Sequence, residues 1–148
     1  MSKSDTYEFS MQRMTFNGQP ITNISASAGT TTLWVGAHTA DPGEAGSTAA
    51  EGGYAAYTRV ATDRSTASNG WVVTSGTSAA LASVSPVGAV SLPQCATTST
   101  GTFTYGSIWT SSNVSSSGLL YSGALSPTIN FGQNVTPQIT TGSSITED

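Results

Sequence analysis

What this sequence lacks excludes several functions. It has one cysteine, Cys95, so no internal disulfide framework can form. It has one histidine, His38, which leaves little material for a zinc site. Its only cations are Lys3, Arg13, Arg59 and Arg64, in a chain of net charge −4. Phosphate backbones are held by clusters of basic groups, so nucleic acid is not expected as a partner. No apolar run approaches the length of a membrane span, and no membrane partner is expected. Met1 to Ser10 is polar and has no apolar signal-peptide core, so synthesis in a cytoplasm without general export is the expectation. The Asn-x-Ser/Thr sequons at Asn23, Asn113 and Asn134 therefore carry little meaning.

The most unusual absence is of charge. From Ser65 to Thr146 there is no Asp, Glu, Lys or Arg. Soluble monomers ordinarily keep both signs of charge on their surface to resist association. A charge-free half points to surface that faces other subunits, or to a hydroxyl-rich solvated surface. Large aliphatic residues are also scarce, and Ser, Thr, Gly and Ala fill much of the chain. Low charge argues against a chain forced open by repulsion. Thr and Val favour strands, and Gly, Ser and Asn favour turns. The composition therefore predicts an all-β fold, a single β-sandwich or jelly-roll-like domain with a lean core. The 148 residues are the size of one domain.

Helical periodicity is weak along the chain. Strand candidates recur at 12–16, 31–38, 54–60, 71–75, 88–92, 102–109, 118–124 and 138–141. In 102–109, Phe103 and Tyr105 alternate with threonines, which predicts one buried face. Loops are expected at 38–46, where Asp41-Pro42-Gly43 is a turn signal, and at the serine-rich 111–117. Residues 1–16 read as an N-terminal arm or a first strand, ahead of a β-sandwich domain over 17–148. Phe9, Met11, Arg13, Met14 and Phe16 are the candidate capsid or partner interface on that arm.

Catalytic chemistry has little to stand on. His38, Asp41 and Glu44 could offer an imidazole and two carboxylates to a metal, but a loop does not hold that spacing rigid. The plainer reading is a strand end, a turn residue and a solvated carboxylate. A Ser-His-Asp triad can be assembled on paper, but there is no Gly-x-Ser-x-Gly elbow. Cys95 follows Val90-Ser91-Leu92-Pro93 and reads as a buried structural thiol rather than a partner for His38. No catalytic, cofactor-binding or metal residue is assigned, and no cofactor is expected. Trp34 and Trp71 are assigned to the core. Tyr105 and Trp109 remain candidate exposed ligand aromatics, of the kind that stack on sugars.

Several segments, in order, carry a resemblance. Residues 33–46 contain His38-Thr39-Ala40-Asp41-Pro42-Gly43 at a strand end, followed by a Gly-containing loop. Tyr57-Thr58-Arg59-Val60, Ser91-Leu92-Pro93-Gln94-Cys95, Tyr105-Gly106-Ser107-Ile108 and Leu119-Leu120-Tyr121-Ser122-Gly123-Ala124-Leu125 follow. From Gly29 to Asp148 the chain resembles small tailed-phage virion structural proteins of a tail-fibre-like or capsid-decoration kind. The resemblance implies a virion part and brings no catalytic residue with it. Neither a long shaft nor a repeat is present, so physical reasoning favours a capsid decoration (cement) protein. It would bind the outer shell as a symmetric oligomer, expected as a homotrimer. Its partners would be copies of itself and the major capsid protein or another virion protein. The alternative is a tail, neck or fibre component, and after that a carbohydrate-binding module.

Overall fold

A computed structural model describes residues 5–19, 31–43, 46–75, 83–114 and 118–146. Strand is the main regular structure of the described residues, with one helix. The element order is α1(Asp5–Asn17), β1(Thr32–His38), β2(Val60–Asp63), β3(Trp71–Thr74), β4(Ser83–Pro86), β5(Val90–Ser91), β6(Gly101–Trp109), β7(Leu119–Phe131), β8(Gln138–Ile139) and β9(Ile145–Thr146). Three sheets form, with orders β2-β1-β6-β7, β3-β4-β9 and β5-β8. The β1–β6, β6–β7, β3–β4, β4–β9 and β5–β8 ladders are all antiparallel. The expected β-rich, antiparallel class is what the chain adopts. The sheets do not close into a demonstrated sandwich or jelly roll.

The chain divides into two compact units that interleave along the sequence. The first comprises 1–32, 63–88 and 140–148; the second comprises 33–62 and 89–139.

In the first unit, α1 packs on β3 and β4. Phe16 is fully buried and meets the Trp71 ring edge-on at 5.0 Å. Gln12 lies one turn earlier and is also buried. Phe9, Gln12 and Phe16 thus fall at i, i+3 and i+7, one face of a helix. The strand expected at 12–16 is therefore a helix instead. Glu8, Met11, Gln12, Arg13 and Met14 are good helix formers, and that local signal outweighs the β-rich character of the rest. No cation lies in the last turn of α1. Arg64 supplies one from outside, donating from Nε to the Thr15 carbonyl at 2.6 Å and from Nη2 to the Met14 carbonyl. Those carbonyls have no partner within the helix, and a cation there also meets the negative end of the dipole. Gly18 ends the helix with φ of 64°, the left-handed conformation that a terminating residue needs.

In the second unit, β1 is covered on both faces. Leu33, Val35 and Ala37 point one way into apolar core and are all buried. Ala37, Tyr54, Leu92, Cys95, Phe103 and Phe131 form one cluster, with Tyr57, Val60, Leu125 and Ile129 packed against it. Phe103 and Phe131 have ring centroids 4.7 Å apart, and Tyr54 lies 5.3 Å from Phe131. Burial of Cys95 as a structural thiol is borne out; its Sγ lies 3.5 Å from the carbonyls of Thr97 and Ser99.

Of the expected strand at 54–60 only Val60, the start of β2, is strand; 54–57 is a turn, closed by the Tyr57 amide donating to the Tyr54 carbonyl at 3.0 Å. Its aromatic residues pack inward from the turn rather than from a ladder. Tyr54 donates to the Pro93 carbonyl at 2.6 Å, and the Ala37 amide donates to the Tyr57 hydroxyl at 2.7 Å. The expected alternation of Phe103 with Tyr105 is broken by a register shift between them. Phe103 is buried, whereas Tyr105 is only partly covered.

Candidate functional site

The longest strand among the described residues, β7, is the terminal strand of its sheet. Its only strand neighbour among the described residues is β6. Tyr105 pairs with Ala124 and Phe103 with Ile129, so Leu125, Ser126, Pro127 and Thr128 bulge out between two registers. The Ser126–Pro127 peptide is cis. Before the bulge lies the segment 119–124, which is interrupted in turn: Trp109 pairs with Leu119 and Ile108 with Tyr121, so Leu120 is an extra residue at a second register shift. Within it Leu120, Ser122, Gly123 and Ala124 are exposed, and Leu120 keeps 41 % of its surface open. Consecutive exposure at 122–124 means that neither face of the strand is covered there, because successive side chains point to opposite faces.

The opposite situation holds at the β1–β6 seam. Trp34 pairs with Trp109, Gly36 with Ser107 and His38 with Tyr105. A bridge between His38 and Glu51 brings the 50–52 segment alongside, with the Gly52 amide donating to the Ala37 carbonyl at 3.0 Å. Here the chain buries a polar cluster. Arg59 binds Glu51 with both prongs of its guanidinium, Nε to Oε1 at 2.6 Å and Nη2 to Oε2 at 2.7 Å. Its Nη1 donates to the Ser111 carbonyl at 2.9 Å. The guanidinium carbon lies 3.6 Å from the centre of the Trp109 ring. Trp109 Nε1 donates to Ser107 Oγ at 2.7 Å, and Ser107 Oγ lies 2.7 Å from His38 Nε2. Gly36 is required by this packing. A Cβ there would come within 2.8 Å of Ser107 Oγ and 2.9 Å of Glu51 Oε1.

Burial acts on two titratable groups here. Burial lowers the pKa of His38; Glu51 pulls it up, Arg59 pushes it down and Asp41 pulls it up, in decreasing order. Tyr57 is held as a phenol, its pKa raised chiefly by burial. Indole N–H can only donate, so Ser107 accepts from Trp109 and its own proton is available to His38 Nε2. A hydroxyl also keeps a second lone pair, so Ser107 meets either tautomer of the neutral ring at Nε2, while Nδ1 has no hydrogen-bond partner among the described residues.

This pairing of Ser107 with His38 is not a nucleophile and base. No carboxylate orients Nδ1, Ser107 is 3 % exposed, and its oxygen is engaged by Trp109. The cluster is a structural keystone. Among the described residues no group of three or more His, Cys, Asp or Glu side chains is placed to hold a metal. His38 is buried at its strand end, and Asp41 makes the expected turn by accepting from the Gly43 amide at 2.8 Å. Glu44 lies outside the described residues.

The aromatic assignments change. Trp109, a candidate exposed ligand aromatic, is fully buried beneath Arg59. Trp34, assigned to the core, is only partly buried, while Trp71 is in the core as expected. Tyr105 keeps a partly open face. On α1, Phe16 is spent on its own unit's core. Phe9, Met11 and Met14 are partly exposed. Arg13 is exposed, with its guanidinium 5.4 Å from the centre of the Phe9 ring. Glu51, Arg59 and Ser107 were not anticipated as a cluster. The signal available was that Glu51 and Arg59 are two of very few charges in the chain, and that Arg59 lies inside a quoted motif.

The family model described as Podophage GP4 fiber I protein gp80 matches residues 3–146. The chain belongs to this family. No curated protein matches it. Membership in the gp80 fibre family makes the chain a structural, non-enzymatic component of a phage virion fibre. It also corrects the preference for a capsid decoration protein: the fibre alternative is the better supported. The absence of a shaft or repeat misled, because those features mark one way of building a fibre and say nothing about compact subunits.

Proposed function

We propose that this chain is a fibre subunit whose work is assembly: it joins copies of itself and a neighbouring virion protein through uncharged surface. The single observation that carries the reading is the fibre-family match over 3–146. It is supported by the run from Ser65 to Thr146 without Asp, Glu, Lys or Arg, which contains the whole exposed length of β7. The open positions of α1, Met11, Arg13 and Met14, with the uncovered part of Phe9 at the margin of the packing face, are the second contact surface in this reading. Phe16 is not part of it.

Localisation in intact particles tests the proposal. The chain should occur in a few copies per virion and at fibre positions, by quantitative mass spectrometry and particle reconstruction. Hundreds of copies spread over the head would overturn it in favour of shell decoration.

A further inference from the structure

The short segment beside the end of β1 has the geometry of a clasp. We propose that His38 and the 47–52 strap form a proton-gated device: the strap is closed over the neutral imidazole, and protonation of the ring releases it while β1 and β6 stay paired. The device does not depend on how the chain assembles.

The strap is tied to β1 by one isolated antiparallel bridge, His38 to Glu51, and not by a ladder. The bonds on either side of that bridge run from the Thr39 amide to the Ala50 carbonyl at 2.9 Å and from the Gly52 amide to the Ala37 carbonyl at 3.0 Å. This pattern makes His38 and Glu51 a non-hydrogen-bonded pair, in which the two side chains stand closest and on the same face. The first part of the strap buries little: Ser47 and Ala49 are exposed, and Thr48 and Ala50 are half-buried. Segments with few buried apolar contacts open at the lowest cost. On the other side of β1, five successive pairs hold β6.

The closed site suits only the neutral ring. An imidazolium donates from both nitrogens. Nε2 has Ser107 Oγ at 2.7 Å, but Nδ1 has no acceptor among the described residues, and the ring is fully buried. The titratable and charged groups around it are Glu51 on the strap, Tyr57 and Arg59 on the segment that follows, Asp41 on the turn after β1, and Tyr105 opposite on β6. Both Glu51 oxygens are already engaged by Arg59, whose own charge opposes a second cation. Asp41 is exposed, so solvent screens it. A proton on His38 therefore leaves a buried N–H without an acceptor, which is costly until water reaches it. The strap is the cover that yields most readily.

His38 is the only histidine of the chain, so its ring signals in proton NMR of the full chain are unambiguous. The ring should titrate below the ordinary value of about 6.5. As pH falls below about 6.5, hydrogen-exchange protection of the Thr39 and Gly52 amides should drop by up to about tenfold per pH unit, while amides within β6 keep theirs. His38→Gln should abolish that drop. Asp41→Asn, which keeps an acceptor for the Gly43 amide, should leave it in place. A ring that titrates at about 6.5 or above would overturn the proposal. So would protection at Thr39 and Gly52 that does not change, a drop shared equally by β6, or a drop that His38→Gln retains or Asp41→Asn removes. If His38→Gln does not fold, the wild-type chain and Asp41→Asn decide between these outcomes.

Discussion

Arg59 carries a full charge into the interior, and each of its three nitrogens finds an acceptor there. A buried ion pair is not a net source of stability in itself, because desolvation offsets much of the attraction. Removing one partner is different, since it strands the other. Glu51→Gln should therefore cost about 3–5 kcal/mol in chemical denaturation. Replacing Glu51 and Arg59 together with apolar residues of similar size should cost much less than the sum of the single changes. Equal additive losses would show that the two do not act as a pair. His38 gives a second prediction at this scale. Its folded pKa is lowered, so the unfolded chain takes up the proton first as the solution becomes acidic. The stability that His38 contributes is complete above its unfolded pKa of about 6.5. It is lost as pH falls from there through the lower folded value. Unfolding free energy should thus begin to drop as pH falls below about 6.5, and His38→Gln should flatten that slope.

Helix α1 shows how an element borrows its termination from elsewhere in its unit. The helix has no cation of its own in its last turn, and Arg64 covers the Met14 and Thr15 carbonyls. Arg64→Met should remove that cover while keeping much of the apolar stem. The expected loss is about 1.5–3 kcal/mol, the usual worth of hydrogen bonds to a charged group. Hydrogen exchange should locate the loss in the last turn of α1 rather than in β6 or β7. The Gly36 position in β1 is a steric counterpart. Gly36→Ala should destabilise by about 1–3 kcal/mol, because Ser107 and Glu51 are tethered and cannot step aside freely.

At the scale of the whole molecule, the N-terminal segment is a fold element as well as a candidate contact. Deleting residues 1–16 would remove Phe16 from beneath Trp71, so loss of incorporation into particles after that deletion would report unfolding as readily as a lost contact. Arg13→Glu and Met11→Asp are better probes, because Arg13 is exposed and Met11 partly so. If the outer side of α1 meets a virion partner, both variants should fold and yet enter particles at no more than about a tenth of the wild-type level, a loss of about 1.4 kcal/mol or more in binding. Normal incorporation of both would leave α1 a purely internal element.

The sequence alone determined the β-rich class, because Thr, Val, Gly and Ser favour strands and turns whatever their neighbours. It determined the ends of β1, β3 and β6 to within a residue or so, and the burial of Cys95. It also made the charge-free stretch visible, since charge is counted rather than folded. Only the tertiary structure decided what depends on distant partners. Trp109 reads as exposed beside a serine-rich loop, yet Arg59, far away in the chain, lies over its ring. Tyr54 and Tyr57 read as strand, yet they pack from a turn because Pro93 and Ala37 hold their hydroxyls. The strand expected at 118–124 runs on to Phe131. The fold passes Ser126-Pro127 as a bulge. Pattern reports what a residue prefers locally; which groups it meets across the sheet is set by register, and register is a property of the whole fold.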